Sequence, residues 1–134
     1  MKKSILGAGV LVIALASCKK DSPNKVENML EDGSWKITLF QEDIENHTVD
    51  YTGDIFTFKN DGTVSATHSS TNFSGTWSTE KDDDHTKLNI NFSNPSELID
   101  LSDDWHVIEK TDNTLKLEDV SGDGTIDYLT FEKI

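Results

Sequence analysis

Gly33-Ser34-Trp35-Lys36-Ile37-Thr38-Leu39 marks the point where the chain changes period. Before it, Val26, Met29 and Leu30 fall three and four residues apart, the spacing of one helical face. After it, Trp35, Ile37 and Leu39 alternate with Ser34, Lys36 and Thr38. Successive side chains of a strand point to opposite faces, so this spelling predicts a strand with one buried and one wet side. The two-residue period returns at Phe56/Phe58, Val64/Ala66, Phe73/Trp77, Leu88-Ile90-Phe92, Trp105/Val107, Leu115/Leu117 and Leu129/Phe131. Turn formers separate the runs: Asn60-Asp61-Gly62, Asp82-Asp83-Asp84-His85, Asp112-Asn113 and Ser121-Gly122-Asp123-Gly124. Beyond Asp32 a helical turn is suggested only between Pro95 and Leu101. About eight strands joined by short turns predict an all-β antiparallel meander, and one-sided burial favours closing it into an up-and-down barrel.

Toward the N-terminus, Lys25 to Asp32 reads as one short amphipathic helix ended by Gly33. Lys19-Lys20-Asp21-Ser22-Pro23-Asn24 reads as a flexible tether. Further back, Met1-Lys2-Lys3 precedes an uncharged run from Ser4 to Ser17 rich in Ile, Leu and Val. A charged start, an apolar centre and a small-residue end form a secretory signal, too short for the ~20 residues of a permanent membrane helix. Leu15-Ala16-Ser17-Cys18 resembles the bacterial lipobox, and Cys18 is the single cysteine. The resemblance implies cleavage before Cys18, a lipid on its sulfur and anchoring to a membrane. The expected organisation is a signal peptide over 1–17, a lipidated tether and short helix over 18–32, and a barrel over 33–134. The expected location is the cell envelope, on the outer membrane at its periplasmic face or at the cell surface.

Removing the first 17 of 134 residues leaves 117, enough for one modest core. That removal takes Lys2 and Lys3 and leaves 10 lysines against 25 acids, a net charge of −15 with neutral histidines. No arginine is present. Nucleic-acid binding needs a basic footprint to displace phosphate counterions, so it is excluded as a function class. Anionic lipid would also repel such a chain, which leaves the acyl chains to hold it at the membrane. With Cys18 lipidated the chain has no disulfide, and stability must come from packing. A monomer is expected.

The Gly33-Ser34-Trp35 opening, after a short helical turn, resembles the lipocalin signature. Phe56-Thr57-Phe58-Lys59-Asn60-Asp61-Gly62-Thr63, Gly75-Thr76-Trp77-Ser78, Leu115-Lys116-Leu117 and Leu129-Thr130-Phe131-Glu132-Lys133 resemble the lipocalin-like lipoproteins of Bacteroidetes. The likeness spans about residues 30 to 134. It implies a barrel able to hold a small apolar molecule, with Trp35 low in the barrel and a mouth at the opposite end. Lipocalins pack a late arginine over that tryptophan; here Lys133 or Lys116 is the available substitute.

An eight-stranded barrel is just wide enough to be filled by its own side chains or to admit one small ligand. The expected lining is Trp35, Ile37, Leu39, Phe56, Phe58, Trp77, Leu88, Ile90, Phe92, Trp105, Val107, Leu115 and Leu117. These residues are either a plain core or the wall of an apolar binding cavity. The two readings give two functions, a carrier of a small hydrophobic ligand or a non-catalytic envelope structural or interaction module.

Asp119-Val120-Ser121-Gly122-Asp123-Gly124-Thr125-Ile126-Asp127 resembles half of a calcium loop, with oxygens at positions one, three, five and nine and glycine at six. Position twelve is Thr130, not an acid. Asp119, Asp123 and Asp127 are thus a weak calcium candidate, and an acidic hairpin turn explains the same residues. His47, His68, His85 and His106 lack metal-ligand spacing along the chain, and no Cys-x-x-Cys exists. His106 should point outward beside inward Trp105. No Gly-x-Ser-x-Gly or phosphate loop occurs, so no catalytic residue, cofactor or enzyme activity is expected.

Overall fold

The computed structural model describes residues 22–134; the expected signal sequence, the lipobox-like run and Cys18 lie outside the described residues. Helix α1 (Pro23–Leu30) begins at an N-cap Ser22, whose Oγ accepts a hydrogen bond from the Lys25 amide at 3.4 Å. Proline suits the first helical position because its missing N–H would have had no partner there. The helix buries Val26, Met29 and Leu30. Gly33 leaves it in the left-handed region at φ +93°, a conformation that costs glycine little.

The strands are β1 (Trp35–Glu42), β2 (Glu45–Asn46), β3 (Ile55–Phe58), β4 (Thr63–His68), β5 (Thr71–Asp82), β6 (His85–Phe92), β7 (Asp103–Lys110), β8 (Thr114–Val120) and β9 (Ile126–Lys133). A 3₁₀ turn (Thr48–Tyr51) and helix α2 (Ser96–Ile99) interrupt them. Neighbours pair antiparallel in the order β9-β8-β7-β6-β5-β4-β3-β1, and β9 returns to pair with β1. Eight strands therefore close into a barrel, and the short β2 adds a ninth against Gln41 and Glu42 of β1. The closing register runs from Asp127 opposite Glu42 to Lys133 opposite Trp35.

One expected lining residue is misplaced. The β9–β1 register steps from Thr130 opposite Leu39 to Phe131 opposite Ile37, leaving Thr38 as the extra residue of a bulge. Beyond the bulge the alternation changes phase. Leu39 leaves the buried core, and Phe40 enters it at 1% exposure. A bulge invisible to simple alternation thus exchanges these two neighbours.

Both ends of the barrel are covered. At one end α1 lies across Trp35, whose Nε1 donates to the Leu30 carbonyl at 3.0 Å. The Thr79 hydroxyl donates to Glu27 and ties β5 to the same helix. Lys133 Nζ stands 5.5 Å from the Trp35 ring centre and 3.1 Å from Asp32 Oδ2. Lys133 thereby takes the place over the tryptophan, whereas Lys116 pairs with Glu109 at 3.7 Å. At the other end, expected to be open, Tyr51 of the 3₁₀ turn and Leu98 and Leu101 around α2 are buried. Tyr51 Oη donates to the Glu97 carbonyl at 2.7 Å, and Trp105 Nε1 donates to the Leu101 carbonyl at 2.9 Å.

The close approach of β5 to β6 at Gly75 gives a direct test of this packing. A Cβ there would stand 2.4 Å from the Asn91 carbonyl oxygen and 2.8 Å from Phe92 Cδ1. Gly75→Ala is expected to lose about 1–3 kcal/mol in chemical denaturation, the usual range for overpacking. Gly122→Ala, with no atom within 4 Å, is expected to stay near wild type. Equal stabilities for the two variants would contradict the register of β5 on β6.

Candidate functional site

The structure brings twelve of the thirteen expected lining residues into one buried apolar cluster, all but Leu39. Sequence reasoning missed Phe40 and Tyr51, which join it from the bulged strand and the 3₁₀ turn. The rings meet across the interior. Phe131 lies 5.4 Å from Phe56 and 5.6 Å from Phe58, and Phe58 lies 5.4 Å from Trp77, all edge to face. Near the other end Phe40 contacts Tyr51 at 5.5 Å and Trp105 at 6.3 Å. Centroid separations of 4.5–7 Å are contact distances for aromatic pairs.

The calcium candidates are dispersed into other roles. Asp123 Oδ1 accepts from the amide and hydroxyl of Thr125 at 3.0 and 2.8 Å. The Asp61-Gly62-Thr63 turn is built the same way, with Asp61 Oδ1 accepting from the Thr63 amide at 3.0 Å and hydroxyl at 2.6 Å. In both turns the glycine is left-handed, Gly62 at φ 89° and Gly124 at φ 91°. One hairpin chemistry, Asp-Gly-Thr, is therefore used twice. Asp127 Oδ1 accepts from the Asp43 amide at 3.0 Å.

Asp119 instead joins Asp103 and Asp104, with one carboxylate oxygen from each lying within 4.8 Å of the others. Burial pushes the Asp103 carboxyl up to about 7; its hydrogen bond with Asp119 adds to the rise, against the pull of the Asp104 amide. Asp104 is held below the usual carboxylate range, chiefly by the Lys87 ammonium at 2.9 Å. Protonated Asp103 lets three acids share one small space.

Two histidine sites are formed by strand pairing rather than chain spacing. His68 Nδ1 bonds Asp54 at 2.6 Å, and its Nε2 faces Glu97 at 3.7 Å. Asp54 is buried, and that burial raises its carboxyl against the lowering effect of His68. Tyr51, beside them, is pushed well above the ordinary phenol range by burial and then by Asp100. On the outer wall, His85 and His106 lie with ring centres 6.0 Å apart, and His106 Nε2 is 3.2 Å from Asp82. His106 does point outward, as its place beside Trp105 predicts. Outer clefts include one of about 440 Å³ bounded by Lys36, Thr38, Asp54 and Ile55, and one of about 280 Å³ at His85 and His106. Among the described residues, no helix is long and apolar enough to cross a membrane.

No family model matches the chain, and no curated protein matches it. Among solved structures it is similar to a DUF4847 family protein from Bacteroides vulgatus, with a TM-score of 0.56 and 21% identity. That match covers 80% of this chain and 96% of the other. At such identity the likeness is one of fold, a barrel of the same kind.

Asp103 links the acid trio to stability. In the fold it keeps its proton to about pH 7, whereas unfolded it releases it near the ordinary 3.8. Between those values the folded chain binds the extra proton, so its stability falls as pH rises. Asp103→Asn, which imitates the protonated form, is expected to remove that share of the decline. Thermal melts from pH 4 to 7.5 should show the variant gaining on wild type as pH increases. Parallel slopes would contradict the partly buried place of Asp103 beside Asp119.

Proposed function

We propose that this chain is a lipid-anchored, lipocalin-like envelope protein that works through its outer surface, without catalysis, around a filled barrel. The edge-to-face contacts of Phe56, Phe58, Trp77 and Phe131 carry this reading, because the space a carrier would give to its ligand is occupied by rings. The caps at both ends support it further. A carrier reading requires those rings and one cap to move apart together.

The anchor fixes an orientation. Three residues separate Cys18 from the N-cap Ser22 of α1, a reach of at most about 14 Å over the four steps. The α1 end of the barrel, which carries Lys25, Lys110 and Lys133, would then face the bilayer. The far loops, 43–54, 93–102 and 121–125, hold seven acids and no lysine. They also present Ile44 at 86% and Val49 at 76% exposure. Apolar tips in an acidic field suit a basic protein partner with an apolar contact surface, which makes this loop end the working face.

Native mass spectrometry of the protein purified from its own host tests the filled interior. The expected result is the mass of the lipidated chain alone; a retained small apolar molecule would restore the carrier reading. Cys18→Ser is expected to move the protein from membrane to soluble fractions, and a variant still bound to membranes would contradict the anchor.

A further inference from the structure

The outer wall carries a group of side chains that the filled barrel and its loop end do not use. His85 opens β6, His106 lies on β7 with its ring 6.0 Å away, and Asp82 ends β5. Glu118 of β8 stands directly opposite His106 in the strand register. Inward Leu88, Trp105 and Leu117 fix the alternation, so His106 and Glu118 share the outward face. The β7–β8 register slips between Val107 and Glu109, and a cleft of about 280 Å³ opens there between His85, His106 and Glu118.

We propose that this cleft binds a divalent transition-metal ion of the zinc type, held by the imidazoles of His85 and His106 and the carboxylates of Asp82 and Glu118. The ligand set is two borderline nitrogens with carboxylate oxygens, the mixture such ions take. One pair of ligand atoms already has the spacing that coordination needs, and metal binding would draw His85 and Glu118 in to join it. Metal–ligand bonds of about 2.0–2.1 Å in a tetrahedron set ligand atoms roughly 3.3 Å apart. His106 Nε2 and Asp82 Oδ2 are 3.2 Å apart. The same bonds place each imidazole centre roughly 3.2 Å from the ion, so two rings ligating a tetrahedral ion stand roughly 5.2 Å apart. The observed 6.0 Å is wider by about 0.8 Å, so the exposed His85 ring must turn toward His106 to close the site. Lys87 is the competing cation; its Nζ sits 2.9 Å from Asp104 but 3.9 Å from Asp82, so Asp82 is its more distant partner. The acid trio of Asp103, Asp104 and Asp119 offers oxygen alone, which suits harder cations and gives the test a contrast.

Calorimetric titration of untagged full-length protein with ZnCl₂ decides the matter. The expected result is saturation at one ion per chain, weakened at least tenfold in His85→Ala and in His106→Ala but retained in Asp103→Asn. Neither histidine belongs to the core, so circular dichroism of both variants should match wild type. With Cu²⁺ as a second probe, electron paramagnetic resonance should show coupling to two imidazole nitrogens, reduced to one in either variant. No saturable zinc heat, or zinc binding unchanged by both histidine substitutions, would overturn the assignment.

Discussion

Closure of β9 onto β1 is the constraint from which the rest of the molecule follows. Without it both strands would be edges with unpaired amides and carbonyls, open to pairing with other chains. The seam spans from Asp127 opposite Glu42 to Lys133 opposite Trp35, nearly the full length of both strands. Its bulge at Thr38 turns Phe40 inward while Ile37 and Trp35 keep their places. Closure therefore brings Phe131 against Phe56 and Phe58, on strands far apart in sequence. Lys133, at the end of β9, then reaches the Trp35 ring and Asp32 together, which fastens the seam to the helix end.

A small barrel without disulfides has physical reason to fill itself. Leaving an empty space of 300 Å³ would cost about 7 kcal/mol at roughly 24 cal/mol per Å³. That is comparable with the whole stability of a domain this size, about 5–15 kcal/mol. The aromatic contacts between Phe40 and Tyr51 at one end, and between Phe58 and Trp77 toward the other, keep those atoms in contact. The exterior displays acids, a few exposed isoleucines and the paired rings of His85 and His106.

Much of this was legible in the sequence because strand alternation has a fixed period. Trp35, Phe56, Leu88, Trp105 and Leu115 each announce an inward face, and Asp61-Gly62 announces a hairpin. Leu39 misled because a single bulged residue inverts the phase without changing composition. Tyr51 and Leu98 were hidden since they cap the barrel from irregular segments where no period exists. The calcium-like run 119–127 had an internal guide: Asp123-Gly124-Thr125 repeats Asp61-Gly62-Thr63, and the repeated turn explains the repeated spelling. His85 and His106 are 21 positions apart along the chain, and only pairing of β6 with β7 places them together.

Native-state hydrogen exchange tests the closed barrel most directly. If the seam is sealed by a packed interior, amides shared by β1 and β9 will exchange only through global unfolding, as slowly as those between β5 and β6. Seam amides exchanging far faster than that central pair, as at an open sheet edge, would contradict the account.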